Sequence, residues 1–238
     1  MAVTDSPARS RRSYWLLDLY GSGVGKKWAM ALSGIVLLGF VVAHMIGNLH
    51  MYQGAAEMNE YGEYLREIGA PIIPHTVFLW LIRLPLAAAF VIHIHAAYAL
   101  TVTNHHATID KYKQPREWLA ASYASRTMRY SGVIVLLFVA WHLADLTLGW
   151  LNPDFIPGAP YENAVVSLSN VGIGILYIIA NIALGMHIFH GAWSLFQSIG
   201  VNNPRFNQWR RWLAQGLATL IVIGNISFPV MIMTGQVS

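Results

Sequence analysis

The stretch that decides the fold is WAMALSGIVLLGFVVAHMIGNLHM (Trp28–Met51). It is twenty-four residues long and carries no Asp, Glu, Lys or Arg. At 1.5 Å per residue it is long enough to cross a hydrocarbon core of about 30 Å. Inside lipid every backbone polar group must be paired within the segment, so the stretch reads as a helix. It also holds a histidine, His44, deep in an otherwise apolar run. Working outward, four further runs have the same length and character: 77–102, 130–150, 171–196 and 212–234. The expected fold is all-α, a polytopic membrane protein of five transmembrane helices.

The composition agrees. Of 238 residues 55% are hydrophobic and 11% charged, with mean hydropathy +0.46; a soluble domain carries about a quarter charged residues. Residues 1–238 read as a single membrane domain, with 1–27 a cytoplasmic N-terminal segment lacking the h-region of a signal peptide. There are no cysteines. This excludes disulfides, c-type haem attachment and an iron–sulfur cluster on this chain's own thiolates. The net charge of +4 does not require a nucleic acid, because the basic residues flank the spans.

Their placement orients the chain. Arg9, Arg11, Arg12, Lys26 and Lys27 precede the first span. Lys111, Lys113, Arg116, Arg126 and Arg129 lie between the second and third, and Arg205, Arg210 and Arg211 between the fourth and fifth. The alternate loops hold Arg66 among Glu57, Glu60, Glu63 and Glu67, and the acidic pair Asp154 and Glu162. The positive-inside rule places the N-terminus in the cytoplasm and the C-terminus outside.

Ionisable groups inside a bilayer are costly and need a reason. Four of the five spans carry histidine: His44 with His50 at the span end, His93 and His95, His142, and His187 and His190. A lone buried His is usually a structural hydrogen-bonding group; this recurrence is not. His44 and His142 fall late in outward-running spans, and His93 and His187 late in inward-running ones; His44, His93 and His187 each lie sixteen residues from the start of their span. That is about 24 Å of helix. The histidines thus form two pairs at two depths, each pair drawn from two helices, as two bis-His b haems stacked about 15 Å apart require. An internal repeat supports the pairing. Ser33-Gly34 precedes His44 and Ser131-Gly132 precedes His142, each glycine ten residues ahead of its histidine, and Leu38, Phe40 and Val41 match Leu136, Phe138 and Val139. Ala89, Ala96 and Ala97 flank His93, and Ala180, Ala183 and Gly191 flank His187, small residues that admit a porphyrin or simply another helix. They favour His93 over His95 and His187 over His190 as iron ligands.

The chain resembles the di-haem cytochrome b membrane-anchor subunit of succinate:quinone oxidoreductases (succinate dehydrogenase and fumarate reductase). The resemblance rests on Gly25-Lys26-Lys27 with Met30-Ala31-Leu32-Ser33-Gly34, and on Ala124-Ser125-Arg126-Thr127-Met128 running into Ser131-Gly132 and His142. It also rests on His93-Ile94 running to Leu100-Thr101 and Asn104, and on His187 running to Gly191, Trp193-Ser194 and Gly200. It implies a haem held by His93 and His187 nearer the cytoplasm and a distal haem held by His44 and His142. It implies flavoprotein and iron–sulfur subunits docked on the cytoplasmic face, where succinate is oxidised, and electron delivery to a quinone, with menaquinone suited to reduction at the outer face. The location implied is the bacterial inner membrane. The resemblance leaves room for a further small membrane subunit. In place of the Arg-rich loop expected after the second span stands Asn104-His105-His106-Ala107-Thr108.

No residue of a dicarboxylate or flavin site is evident, so the catalytic residues of this chain are unknown. Arg83 is a further candidate, for a haem propionate, a quinone oxygen or an ion pair with Asp145, against the bland reading of an Arg snorkelling to the interface. The glutamates of the first loop read as a solvated helix face, and Tyr14–Tyr20 as an interfacial helix touching the iron–sulfur subunit. Two rival functions remain: a di-haem cytochrome b serving another quinone-linked dehydrogenase, and a transporter relaying protons through its histidines. A member of the fold holding one haem or none is a third.

Overall fold

The computed structural model describes residues 14–106, 121–201 and 203–238. The basic residues Arg9, Arg11, Arg12, Lys111, Lys113 and Arg116, and the side chain of Arg126, lie outside the described residues. Among those described, every regular element is a helix: α1 (Trp15–Gly21), α2 (Gly23–Asn48), α3 (Ala55–Glu67), α4 (Val77–His106), α5 (Ala121–Leu146), α6 (Pro160–Ser169), α7 (Val171–Ser198) and α8 (Asn207–Met233). Five of them, α2, α4, α5, α7 and α8, are long and apolar enough to cross a membrane. The chain is a multi-pass helical membrane protein.

Local chemistry sets the ends. Ser22 accepts the Gly25 N–H at 2.9 Å and starts α2. Asn170 accepts from Gly172 and Ile173 and starts α7. Pro160 opens α6 where its missing N–H costs nothing. After α2 a 3₁₀ turn, Leu49–Gln53, leads to Gly54, whose φ of +103° turns the chain into α3.

α4 packs along α2, α5 along α7, and α7 along α8, while α2 touches α7 and α8. Small residues allow the closest of these approaches: a Cβ on Gly185 would run into Val222 of α8, and one on Gly224 into Met45 of α2. The large apolar side chains on the outward faces, such as Val36, Leu81, Leu137, Ile179 and Ile223, are exposed. In a membrane they meet lipid rather than water.

The two short helices α3 and α6 lie together at the end where α2 and α5 finish. Asn59 donates to Glu162 at 2.9 Å and accepts the Tyr161 N–H at 3.2 Å. The C-terminus joins them, since Tyr161 donates to the Ser238 carbonyl at 3.0 Å. Met51, Met58, Leu168, Phe228 and Ile232 form a buried cluster beneath this cap. A second cluster, Met45, Ile188, Ala218 and Ile221, sits deeper in the bundle. α1 lies at the opposite end.

Candidate functional site

Each of the four histidines His44, His93, His142 and His187 faces another across a helix boundary. The ring centroids of His44 (α2) and His142 (α5) are 5.9 Å apart, with planes inclined at 77°. Those of His93 (α4) and His187 (α7) are 6.3 Å apart, inclined at 72°. Two imidazoles on opposite sides of one metal ion, each nitrogen about 2 Å from it, set their ring centres about 6 Å apart. Among the described residues there is no group of three or more His, Asp or Glu side chains able to hold a bare metal ion. Two facing imidazoles at this separation could hold an ion whose other ligands come from a macrocycle, as in haem.

The internal repeat seen in the sequence becomes a repeated contact. On α2, Ser33 and Gly34 face His93, not His44, their nearer neighbour in sequence. His93 Nδ1 lies 3.1 Å from the Met30 carbonyl and 3.3 Å from Ser33 Oγ. On α5, Ser131 Oγ stands 3.4 Å from His187 Nδ1, and His187 also hydrogen-bonds the Met128 backbone. A carbonyl only accepts, so the Met30 contact requires the proton on His93 Nδ1 and leaves Nε2 bare, the form that binds metal. A Cβ on Gly34 would lie 3.3 Å from His93 Cε1, and one on Gly132 3.4 Å from His187 Cε1. The glycines thus make room for the imidazoles.

These contacts also fix the vertical spacing. Gly34 marks the level of His93 and lies ten residues before His44 on the same helix; Gly132 marks the level of His187 and lies ten before His142. Ten residues of helix are about 15 Å. The phenyl rings of the repeat follow: Phe40 stacks on His44 at 5.3 Å and 9°, and Phe138 approaches His142 at 5.7 Å.

The remaining candidates go elsewhere. His95 stands 2.5 Å from the hydroxyl of Tyr20 on α1. His190 meets the Thr127 hydroxyl at 3.3 Å. His50 stacks on Tyr61 at 4.3 Å, with Glu57 3.5 Å from its Nδ1. Arg83 lies over Trp80, 5.5 Å from the ring centre. The expected ion pair between Arg83 and Asp145 is not formed. Asp145 is buried, and its Oδ2 accepts from Ser167 at 2.6 Å and from Tyr177 at 2.9 Å. Asp145 lies near the C-terminal end of α5, where α6 brings a hydroxyl within reach, and two hydroxyls rather than a cation serve its Oδ2. His105 and His106, expected in a surface loop, form the exposed last turn of α4.

Sequence reasoning missed Tyr177 and Ser167. Tyr177 sits ten residues before His187 in an apolar run, and its hydroxyl lies 3.4 Å from His142 Nδ1 as well as against Asp145. The one available signal was a phenol inside a membrane span, where the O–H needs a partner.

Fold and site together define a five-span membrane subunit with two facing histidine pairs stacked along the bundle. The chain belongs to the succinate dehydrogenase/fumarate reductase transmembrane subunit family, whose profile matches residues 103–226. Members of this family are subunits of an enzyme complex, succinate dehydrogenase or fumarate reductase. It is similar to the succinate dehydrogenase cytochrome b558 subunit of Bacillus subtilis (strain 168), 23% identical over 177 residues that cover 74% of this chain and 80% of the relative. No solved structure matches.

Proposed function

We propose that the chain anchors the flavoprotein and iron–sulfur subunits of a succinate dehydrogenase in the bacterial inner membrane and binds two b haems through which electrons reach a quinone, menaquinone by preference. His93 and His187 would hold one haem, His44 and His142 the other. The observation that carries this reading is the pair of centroid distances, 5.9 and 6.3 Å, at two levels about 15 Å apart. The name of the B. subtilis relative, a cytochrome b subunit of succinate dehydrogenase, supports it. Unbroken spanning helices and, among the described residues, a single buried carboxylate, Asp145, speak against a proton-relaying transporter.

When bound, the haems supply one-electron transfer between the two levels. The chain's own work is to hold and orient. Met30 and Ser33, and Ser131 with Met128, fix the rings and tautomers of His93 and His187. Gly34 and Gly132 leave space beside them, and the apolar helices exclude water. The basic loops support a cytoplasmic N-terminus, and with it α1 and the end of the bundle near His93 and His187 would face the hydrophilic subunits.

A reduced-minus-oxidised absorption spectrum of the purified complex tests the proposal. Haem b bands at two haems per chain, with one lost in each of His44→Ala, His93→Ala, His142→Ala and His187→Ala, are expected. Absence of b-type bands from the wild-type complex would reject it.

A further inference from the structure

His142 differs from the other three central histidines in what holds its outer nitrogen. His93 and His187 contact a serine hydroxyl and the backbone of the neighbouring span. His44 rests on the face of Phe40. His142 Nδ1 instead faces a phenol, Tyr177 Oη, at 3.4 Å, and that phenol is tied to Asp145 Oδ2 at 2.9 Å. Ser167 of α6 grips the same carboxylate oxygen at 2.6 Å. Tyr177, Asp145 and Ser167 are all buried, and Phe138 packs edge-on against the Tyr177 ring at 5.0 Å. Asp145 Oδ1 is buried with no hydrogen bond.

The direction of this chain follows from counting protons. A phenol has one O–H. Its shorter contact, to the carboxylate, takes that proton. Toward His142 the phenol oxygen can then only accept, so Nδ1 of His142 carries the hydrogen and Nε2 is left for a metal. The order is imidazole N–H to phenol oxygen, phenol O–H to carboxylate. Each acceptor is made more electron-rich by the next, and the imidazole at the end becomes a stronger donor ligand.

We infer that Tyr177 is a positioning residue that transmits the charge of Asp145 to His142, lowering the reduction potential of the haem His142 holds relative to the haem on His93 and His187. This deepens the reading above and rests on it. An axial imidazole with more electron density stabilises the oxidised iron, and hydrogen bonding around the ligand is one of the levers a protein has on potential. A purely structural role for Tyr177, filling space beside Phe138, would leave both potentials in place.

The experiment is a redox titration of both haems in the intact complex, followed by absorption, for wild type, Tyr177→Phe, Asp145→Asn and the double variant. Tyr177→Phe should raise the midpoint of the haem that is missing in His142→Ala and leave the other unmoved. Asp145→Asn keeps an acceptor oxygen for both hydroxyls and should raise the same midpoint by less. Because the carboxylate acts through the phenol, adding Asp145→Asn to Tyr177→Phe should produce no further shift. Full additivity would mean that Asp145 acts directly through space and would overturn the relay, as would unmoved potentials in Tyr177→Phe. If Tyr177→Phe fails to assemble, Tyr177→Leu takes its place, alone and with Asp145→Asn: a raised distal midpoint with no further shift in the double variant supports the relay, and an unmoved midpoint or full additivity overturns it. A wild-type complex without haem b removes the underlying proposal as well, an outcome distinct from haems present at unaltered potentials.

Discussion

Gly34 lies against the imidazole of His93, so close that a Cβ there would stand 3.3 Å from ring Cε1, and Gly132 meets His187 in the same way at 3.4 Å. One Ser-Gly step, used twice, shapes the space beside a histidine on the neighbouring span. The same glycines lie ten residues ahead of His44 and His142 on their own helices. Each repeat therefore serves both histidine pairs, one through its early turn and the other through its late turn.

Bulk at these glycines should displace the facing ring. Gly34→Val is expected to cost about 1–3 kcal/mol in overpacking and to release the haem held by His93 and His187 while the other stays. Gly132→Val should release the same haem. Absorption spectra of the two variants check this, and loss of different haems would count against the contacts described here.

His95 and His93 are two residues apart but have different tasks. His95 joins α4 to α1 through Tyr20 at 2.5 Å. His95→Leu and Tyr20→Phe should keep both haems, loosen α1 and weaken the hold on the hydrophilic subunits. Spectra together with the amount of iron–sulfur subunit retained on the membrane measure the two effects separately.

Outside the spans, Glu63 accepts from His75 at 2.9 Å and Arg66 at 2.7 Å. The His75 hydrogen bond first, then that from Arg66, hold its carboxyl below the usual 4.5. A carboxyl depressed in the folded state stabilises it above the unfolded value and loses that contribution as pH falls through the folded value. Wild type should therefore melt slightly above Glu63→Gln at pH 6, and the difference should vanish well below pH 4.5. The site is fully exposed, so the margin is small.

Two buried side chains, Asn152 and Asn163, tie the loop before α6. Asn163 accepts the Ile156 N–H at 2.7 Å and donates to the Ile156 carbonyl at 2.8 Å. Asn163→Ala leaves both groups without that partner and should cost roughly 2–4 kcal/mol. Thermal unfolding in detergent, with haem content as a control, would register it.

Five spans were legible because twenty apolar residues in a row have few alternatives. Their ends were less so. The third span, read as 130–150, is helical from Ala121 to Leu146. Hydropathy misses its polar first turns and cannot see the chain leave the helix after Leu146, where the Trp150 N–H returns to the Ala144 carbonyl. α6 carries little apolar excess and escaped notice altogether. At the site, histidine spacing along single helices announced the four central rings. For Asp145 charge offered Arg83 as one possible partner, whereas the hydroxyls that bind it, of Ser167 and Tyr177, arrive from two other helices. No spacing within one helix encodes such a meeting.

The pairing of the rings is tested most directly by counting haem per chain in double variants. His93→Ala with His187→Ala should retain one haem, as should His44→Ala with His142→Ala, because each removes both supports of a single group. His44→Ala with His93→Ala should retain none. One haem surviving in that cross-pair variant, or none in either within-pair variant, would contradict the account.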